Sequence, residues 1–380
     1  MEVFRGLHCK FRGLFDKVDR ELREDTERAY GDLEAQFHCV EQVLHKTALP
    51  SIAPRVKYSL QRFCDVSTLL QVLRQPTGDG DTSRSKLQVW QDLKVLSFAR
   101  AFAAVVSLVI VSMQMRLMLT VLSRQLFLER AMEGTKRGAC WPVLDMQAQE
   151  FFLSLVEKGF GTRGVEQLVG VVKSITKKSV GDLALSKSTN AEELRLVLRN
   201  LRKQTVPTVV SGDWGLGVAE ATKSTDDTSE ATNSTNDTGN SIKENNWDTN
   251  LLPSDDDVRA MWRARVETKE NAASGDSNDS IKENTQTADL VLSMVTEIRA
   301  VVRSPGFAMA LTSALENAWD VFEQRATHEL FVQKEITQMP VAKLVPALSN
   351  LSGDVLKKPE SLFAAVASSP KVVQLTREMW

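Results

Sequence analysis

Apolar residues along this chain recur at three- and four-residue spacing, the repeat of one helix face, wherever they cluster. Phe4, Leu7, Phe11 and Leu14 keep that spacing, with Arg5, Lys10, Arg12 and Lys17 interleaved. A basic amphipathic helix of this kind fits either an anionic membrane surface or the start of a core helix. Glu2, Arg5, Lys10 and Arg12 break it as a secretory signal or anchor. Leu22, Tyr30, Leu33, Phe37, Val40 and Leu44 form the stripe of a helix spanning Asp16 to His45. Pro50 and Pro54 are expected to end it. A second helix is expected from Val56 to Leu73, followed by a polar turn over Gly78, Asp79, Gly80 and Asp81.

From Lys86 to about Glu133 there is neither proline nor glycine, which predicts a helix of roughly 70 Å. Its middle, Ala101 to Leu122, is apolar apart from Ser107, Ser112, Gln114, Arg116 and Thr120. Arg116 limits the uncharged run to about 22 Å, short of the ~30 Å hydrocarbon core of a bilayer. A helix apolar on all sides suits the centre of a large bundle as well as a membrane. Further helices are expected over Asp145–Lys158, Val165–Lys178 and Ala191–Lys203, the last opened by a capping box of Thr189 and Glu192.

Composition then shifts. Ser211 to Thr287 is rich in Ser, Thr, Asn, Asp and Gly, and Ser241-Ile-Lys-Glu-Asn245 recurs as Ser280-Ile-Lys-Glu-Asn284. So few apolar groups cannot offset the entropy of ordering, so 211–287 is expected to be a mostly disordered, low-complexity insertion. A short helix bearing Val258, Met261 and Trp262 is the exception within it. Sequons at Asn233 and Asn236 are read as accidental. Helical pattern resumes at Asp289 and runs to Arg303. Ser304-Pro305 starts the next helix, Pro340–Leu351 forms another, and Ser369-Pro370 starts a terminal one. No strand signal stands out, so the fold class is all-α: an elongated bundle of long helices with one disordered insertion. The domain organisation is a membrane-proximal segment over 1–20, one helical domain built from 21–210 and 288–380, and the insertion at 211–287.

A net charge of −2 and 25% charged residues argue against a general nucleic-acid binder. Cys9, Cys39, Cys64 and Cys140 are too scattered for a disulfide scaffold, and read as reduced thiols. Only His8, His38, His45 and His328 could serve imidazole chemistry. Gly159-Phe-Gly161-Thr-Arg-Gly164 matches a dinucleotide fingerprint literally, but a helix rather than a strand precedes it, which makes it a helix–helix turn. The pairs His8-Cys9 and His38-Cys39 place adjacent side chains on different helix faces and read as packing. Met113, Met115 and Met118 read as core filling. Acidic residues abound on charged helix faces without a nearby nucleophile or base, so no catalytic set emerges and no cofactor or metal is implied.

More informative is Lys86-Leu-Gln-Val-Trp-Gln-Asp-Leu-Lys-Val-Leu-Ser-Phe98. Leu87, Trp90 and Leu93, with Lys86 and Lys94, put apolar groups and cations at one helix end. By pattern alone this Trp reads first as a core residue, with an interface anchor as the alternative. The run Lys86 to Arg100 resembles the K-L-x-[IV]-W-x-D-L-K-[IV]-[IL]-S-F-x-R pattern of the peroxin-3 family. Met339-Pro-Val-Ala-Lys343-Leu-Val-Pro346 is similar to a second family run, and Arg303-Ser-Pro-Gly-Phe307 to a third. The resemblance implies a non-enzymatic helical bundle on the peroxisomal membrane, its bulk facing the cytosol. Its partner would be peroxin-19, the import receptor for newly made peroxisomal membrane proteins, with no nucleic acid and no small-molecule substrate. An amphipathic N-terminal helix of peroxin-19 would enter an apolar groove at one end of the bundle. Carried onto this sequence, Trp90 lines the groove with Leu93 one turn along, Lys86 stands at the rim, Leu73 forms another wall, and Lys343 joins from the C-terminal part. Family members begin with a membrane anchor preceded by basic residues. Here the expected attachment is a truncated anchor, the basic segment near Phe4–Phe15, or the apolar helix at Ala101–Leu122. A helical scaffold or tether at an organelle membrane is the alternative function.

Overall fold

The computed structural model describes residues 29–74, 86–132, 144–212, 214, 247–270 and 278–380. The expectations for 1–20, for the turn at Gly78–Asp81, for His8, Cys9 and Cys140, and for the sequons and the first copy of the pentapeptide lie outside these residues.

Helices α1 (Ala29–Val43) and α2 (Leu49–Phe63) do not part at the prolines. A π-helical turn, Leu44–Ala48, joins them, and the Leu49 N–H donates to the Leu44 carbonyl five residues back. Pro50 falls in the first turn of α2, where the missing N–H costs least, and Pro54 rides inside the helix. The break comes instead at Cys64, which leaves helical geometry. Asp65 then caps α3 (Val66–Arg74), accepting from the Ser67 N–H at 2.9 Å and from the Thr68 hydroxyl. Those two donors hold the Asp65 carboxyl below its usual range, Thr68 contributing most.

Helix α4, Lys86–Met132, is the axis of the fold. The remaining described helices are α5 (Met146–Lys158), α6 (Val165–Val180), α7 (Ala191–Val210), α8 (Trp247–Leu251), α9 (Asp255–Glu270), α10 (Asn278–Arg303), α11 (Pro305–Thr327), α12 (Val341–Lys357), α13 (Glu360–Ala367) and α14 (Pro370–Glu378). Helices α2, α6, α11 and α12 all pack against α4, and every residue from Ala101 to Ser123 is buried. By length and composition α4 alone among the described residues could cross a membrane, yet most of its apolar stretch is covered by the rest of the chain. Met113, Met115 and Met118 fill that core. Some of the polar groups inside find partners. Gln114 donates to the Leu251 carbonyl at 2.8 Å, Thr120 to the Arg116 carbonyl at 2.8 Å, and Arg116 pairs with Glu41.

The literal glycine fingerprint is a π-helical turn, Phe160–Gly164, between α5 and α6. A Cβ on Gly159 would stand 2.1 Å from the Leu251 carbonyl oxygen, and one on Gly164 would stand 2.5 Å from that of Asn250. Both glycines therefore serve the close approach of α8. Within 211–287 the short helix expected around Val258, Met261 and Trp262 is present as α9, with Trp262 edge-on to Phe151 at 5.2 Å. The order not expected there is α8, the start of α10 at Asn278 and the buried indoles of Trp214 and Trp247.

Two strands, unforeseen in the sequence, pair antiparallel: β1 (Ser188–Asn190) and β2 (Gln338–Pro340), with Thr189 opposite Met339. Thr189 is committed to this ribbon, so the capping box of α7 sits one residue later than expected. The Glu193 N–H donates to Asn190 Oδ1 at 2.8 Å, and the Asn190 N–H to the Glu193 carboxylate at 3.3 Å. The Ser304 cap of α11 forms as expected, accepting from the Phe307 N–H at 3.2 Å.

Candidate functional site

Helix α4 emerges from the bundle at its first turns, and exposure falls along its axis there. Lys86 is exposed, Leu87 is 62% exposed, Trp90 is half-buried, and Leu93 is 1% exposed. Helix face decides as well as depth, since Val89, one residue before Trp90, is already 2% exposed and lies on the buried side with Leu93 and Leu96. Trp90 is packed against the core and only partly buried, and Leu93, one turn along, is buried within the core. Helix α3 packs alongside α4. Its Leu69, Leu70 and Leu73 are half-buried against the core, and Val72 is 47% exposed. The end of α3 and the start of α4 thus carry Leu73, Val72, Leu87 and Trp90 as accessible apolar surface, with the Lys86 ammonium in solvent.

Lys343 is exposed in the first turn of α12. Its connection to Trp90 runs through residues 181–190. One turn after Trp90, the buried Lys94 donates to the carbonyls of Gly181 at 2.8 Å and Leu183 at 2.6 Å. Four residues on, the same stretch holds α12: the Ala342 N–H donates to the Leu185 carbonyl at 3.0 Å and the Val341 N–H to that of Lys187 at 3.0 Å. The β1–β2 pairing continues the attachment. Helices α4 and α12 therefore both begin at this end of the bundle. Burial lowers the Lys94 pKa, and the Asp182 carboxylate partly restores it. Lys94, Leu87 and Val72 are the residues that sequence reasoning did not assign to the site. Leu87 and Lys94 stand inside the Lys86–Phe98 run, but nothing in their spacing distinguishes an exposed leucine from a buried lysine.

Other candidate chemistry separates in space. Cys39 is buried, and burial pushes its thiol up to about 11. Its neighbour His38 is exposed and accepts from the Gln42 amide at 2.8 Å. Cys64 is likewise buried and raised to about 11. Among the described residues no group of three or more His, Cys, Asp or Glu side chains converges as a metal site.

Residues 39–150 match the Peroxin-3 family model, a span that takes in Leu73, Lys86, Trp90 and Leu93 and runs from within α1 through α2, α3 and α4 to the start of α5. The chain resembles the peroxin-3 family. Peroxisomal biogenesis factor 3 of Rattus norvegicus is 26% identical over 189 residues, 48% of each chain. The Homo sapiens protein of the same name is 25% identical over the same length. Peroxisome biogenesis protein 3-2 of Arabidopsis thaliana is 30% identical over 118 residues, 30% of this chain and 32% of its own. The chain spans about half the length of the mammalian relatives it matches. Lys343 lies outside the stretch that the peroxin-3 family model covers.

Proposed function

We propose that this chain is a peroxisomal membrane biogenesis factor that docks peroxin-19 and so delivers newly made membrane proteins to the peroxisomal membrane. Its bulk faces the cytosol and it works without catalysis. The observation that carries the reading is the half-buried indole of Trp90, at the emerging end of α4 inside the stretch that matches the Peroxin-3 family model. An amphipathic helix of the partner would lay its apolar stripe on Trp90, Leu87 and Leu73, with Leu93 buried one turn along. Lys86 and Lys343 would draw acidic side chains at its edges and set its register. Apolar contact supplies affinity, because two flexible lysines in solvent contribute little by themselves. A large aromatic anchor partly freed of water is the residue type whose truncation costs most at such an interface.

The test is a pull-down and titration of Trp90→Ala against the N-terminal helix of the host's peroxin-19. Affinity should fall by ~2 kcal/mol or more, roughly thirtyfold, with the helical circular dichroism unchanged. Unchanged affinity in a folded variant removes the docking site from α4. Imaging separates docking from tethering. Loss of a docking factor sends peroxisomal membrane proteins elsewhere, whereas loss of a tether moves the organelle and leaves its membrane proteins in place.

A further inference from the structure

Lys94 has no place in the docking contacts, yet its burial is complete and its ammonium hydrogen-bonds to two backbone carbonyls, with the Asp182 carboxylate near enough to act on its charge. Burying an ammonium is costly unless its hydrogen bonds are met, so a lysine here needs a structural return. The two carbonyls belong to the strap 181–187 that leaves α6, and the far end of that strap is bonded to the first two residues of α12. We propose that Lys94 is a positioning residue that latches this strap to α4, and so sets where Lys343 stands relative to Trp90. The proposal rests on the docking reading above for its functional consequence, but its structural half stands apart from it.

The geometry makes the latch specific. Trp90 and Lys94 are four residues apart, so they lie over one another on α4. Leu183, held by Lys94, is two residues from Leu185, held to Ala342. Lys343 follows Ala342 directly. Without the latch, the near end of the strap keeps its backbone bonds to α6 and the packing of Leu183 and Leu185, while its far end is bonded to α12 and the β1–β2 pairing and has no hydrogen bond to α4. Apolar packing between α4 and α12 would keep the fold. The separation of the two sides of the site would then be less fixed.

Lys94→Met keeps most of the side-chain volume and removes the donors. Amide hydrogen exchange reads the latch directly. At Val341 and Ala342, exchange should rise about tenfold or more, while amides in α11 stay protected. Affinity for the peroxin-19 peptide should fall about two- to fivefold, no more than Lys343→Ala costs alone, and Lys343→Ala should then cost little further in the Lys94→Met background, much less than in the natural chain. A variant weakened only by general destabilisation would show additive losses. Val341→Pro cuts the strap at its other end, at the first residue of α12, where proline fits after the extended Pro340. It should reproduce both the affinity loss and the silencing of Lys343→Ala, and it decides the matter if Lys94→Met fails to fold. Unchanged exchange at Ala342 in folded Lys94→Met, or additive losses in both variants, overturns the latch. If the natural chain does not bind the peptide, the docking reading falls, and exchange at Val341 and Ala342 still decides whether Lys94 holds the strap.

Discussion

Arg116 brings a charge into the middle of α4 that the surrounding apolar side chains cannot solvate. It is 1% exposed and burial lowers its pKa to about 10, so at neutral pH it stays charged and depends on Glu41. Glu41 in turn lies 3.5 Å from His45, one turn along in the π-helical segment. His45 also lines a cavity of about 490 Å³ between α2 and α12–α13, whose other charged groups are Lys57, Lys357 and Glu360. Burial holds the His45 imidazole below its ordinary 6.5. The folded chain therefore takes up this proton less readily than the unfolded one. Stability is full above the ordinary imidazole value and falls as pH drops through it towards the lower folded value. His45→Gln should flatten that fall. Urea unfolding at pH 7 and pH 5 should show the natural chain losing more between the two than the variant does. Equal losses would assign the acid sensitivity to other groups. Glu41→Ala is the harsher change, since it leaves the Arg116 guanidinium buried without its carboxylate. A loss of ~3 kcal/mol is expected in the same measurement.

At the scale of elements, the pattern predicted those whose signals are local and failed where partners elsewhere decide. Lys86 to Met132 was legible because nothing in it opposes a helix. Asp145 and Ser304 were legible as starts because each caps its own helix. Pro50 and Pro54 misled because a π-helical turn absorbs the first, a device with no sequence mark. Thr189 misled because a strand 150 residues away claims it. Trp90 was legible as a candidate anchor. The exposure of Leu87 and the burial of Leu93 and Lys94 were not, because they depend on which side of α4 its neighbours cover. The glycine turn offers a test at this scale. Gly159→Ala forces the Leu251 backbone to move, since the added methyl meets its carbonyl oxygen at 2.1 Å. A cost of ~1–3 kcal/mol is expected, with a changed near-ultraviolet signal as α8 shifts its tryptophan. Gly161→Ala is the control, because its Cβ would make only ordinary contacts, with the Glu157 side chain at 3.6 Å and the Val156 carbonyl oxygen at 3.9 Å. Equal effects of the two would mean that α8 does not lean on this turn.

For the molecule as a whole, the tryptophans flanking residues 215–246 matter more than the composition between them. Trp214 and Trp247 meet edge-on at 4.9 Å, Trp247 donates to the Val210 carbonyl at 2.8 Å, and Asn250 donates to that of Gly212 at 3.2 Å. Gly212 takes a positive φ of 69°, and a side chain there would strike the Trp247 ring at 2.6 Å. Trp247 also packs edge-on to Phe307 of α11. The two ends of the segment are thus anchored side by side on the core, by contacts that involve none of the residues between. Replacing 215–246 with a short Gly/Ser linker should therefore leave the helical fold intact. A shorter loop also costs less to close, so stability should hold or rise by about 1 kcal/mol. Thermal unfolding, followed by tryptophan fluorescence, checks this, and a large drop in the midpoint would show that the excised residues contribute to the core. Peroxin-19 affinity measured on the same excision variant should match that of the natural chain, because the proposed docking surface is drawn from α3, α4 and α12. A loss of affinity with the fold retained would mean that the excised residues take part in docking.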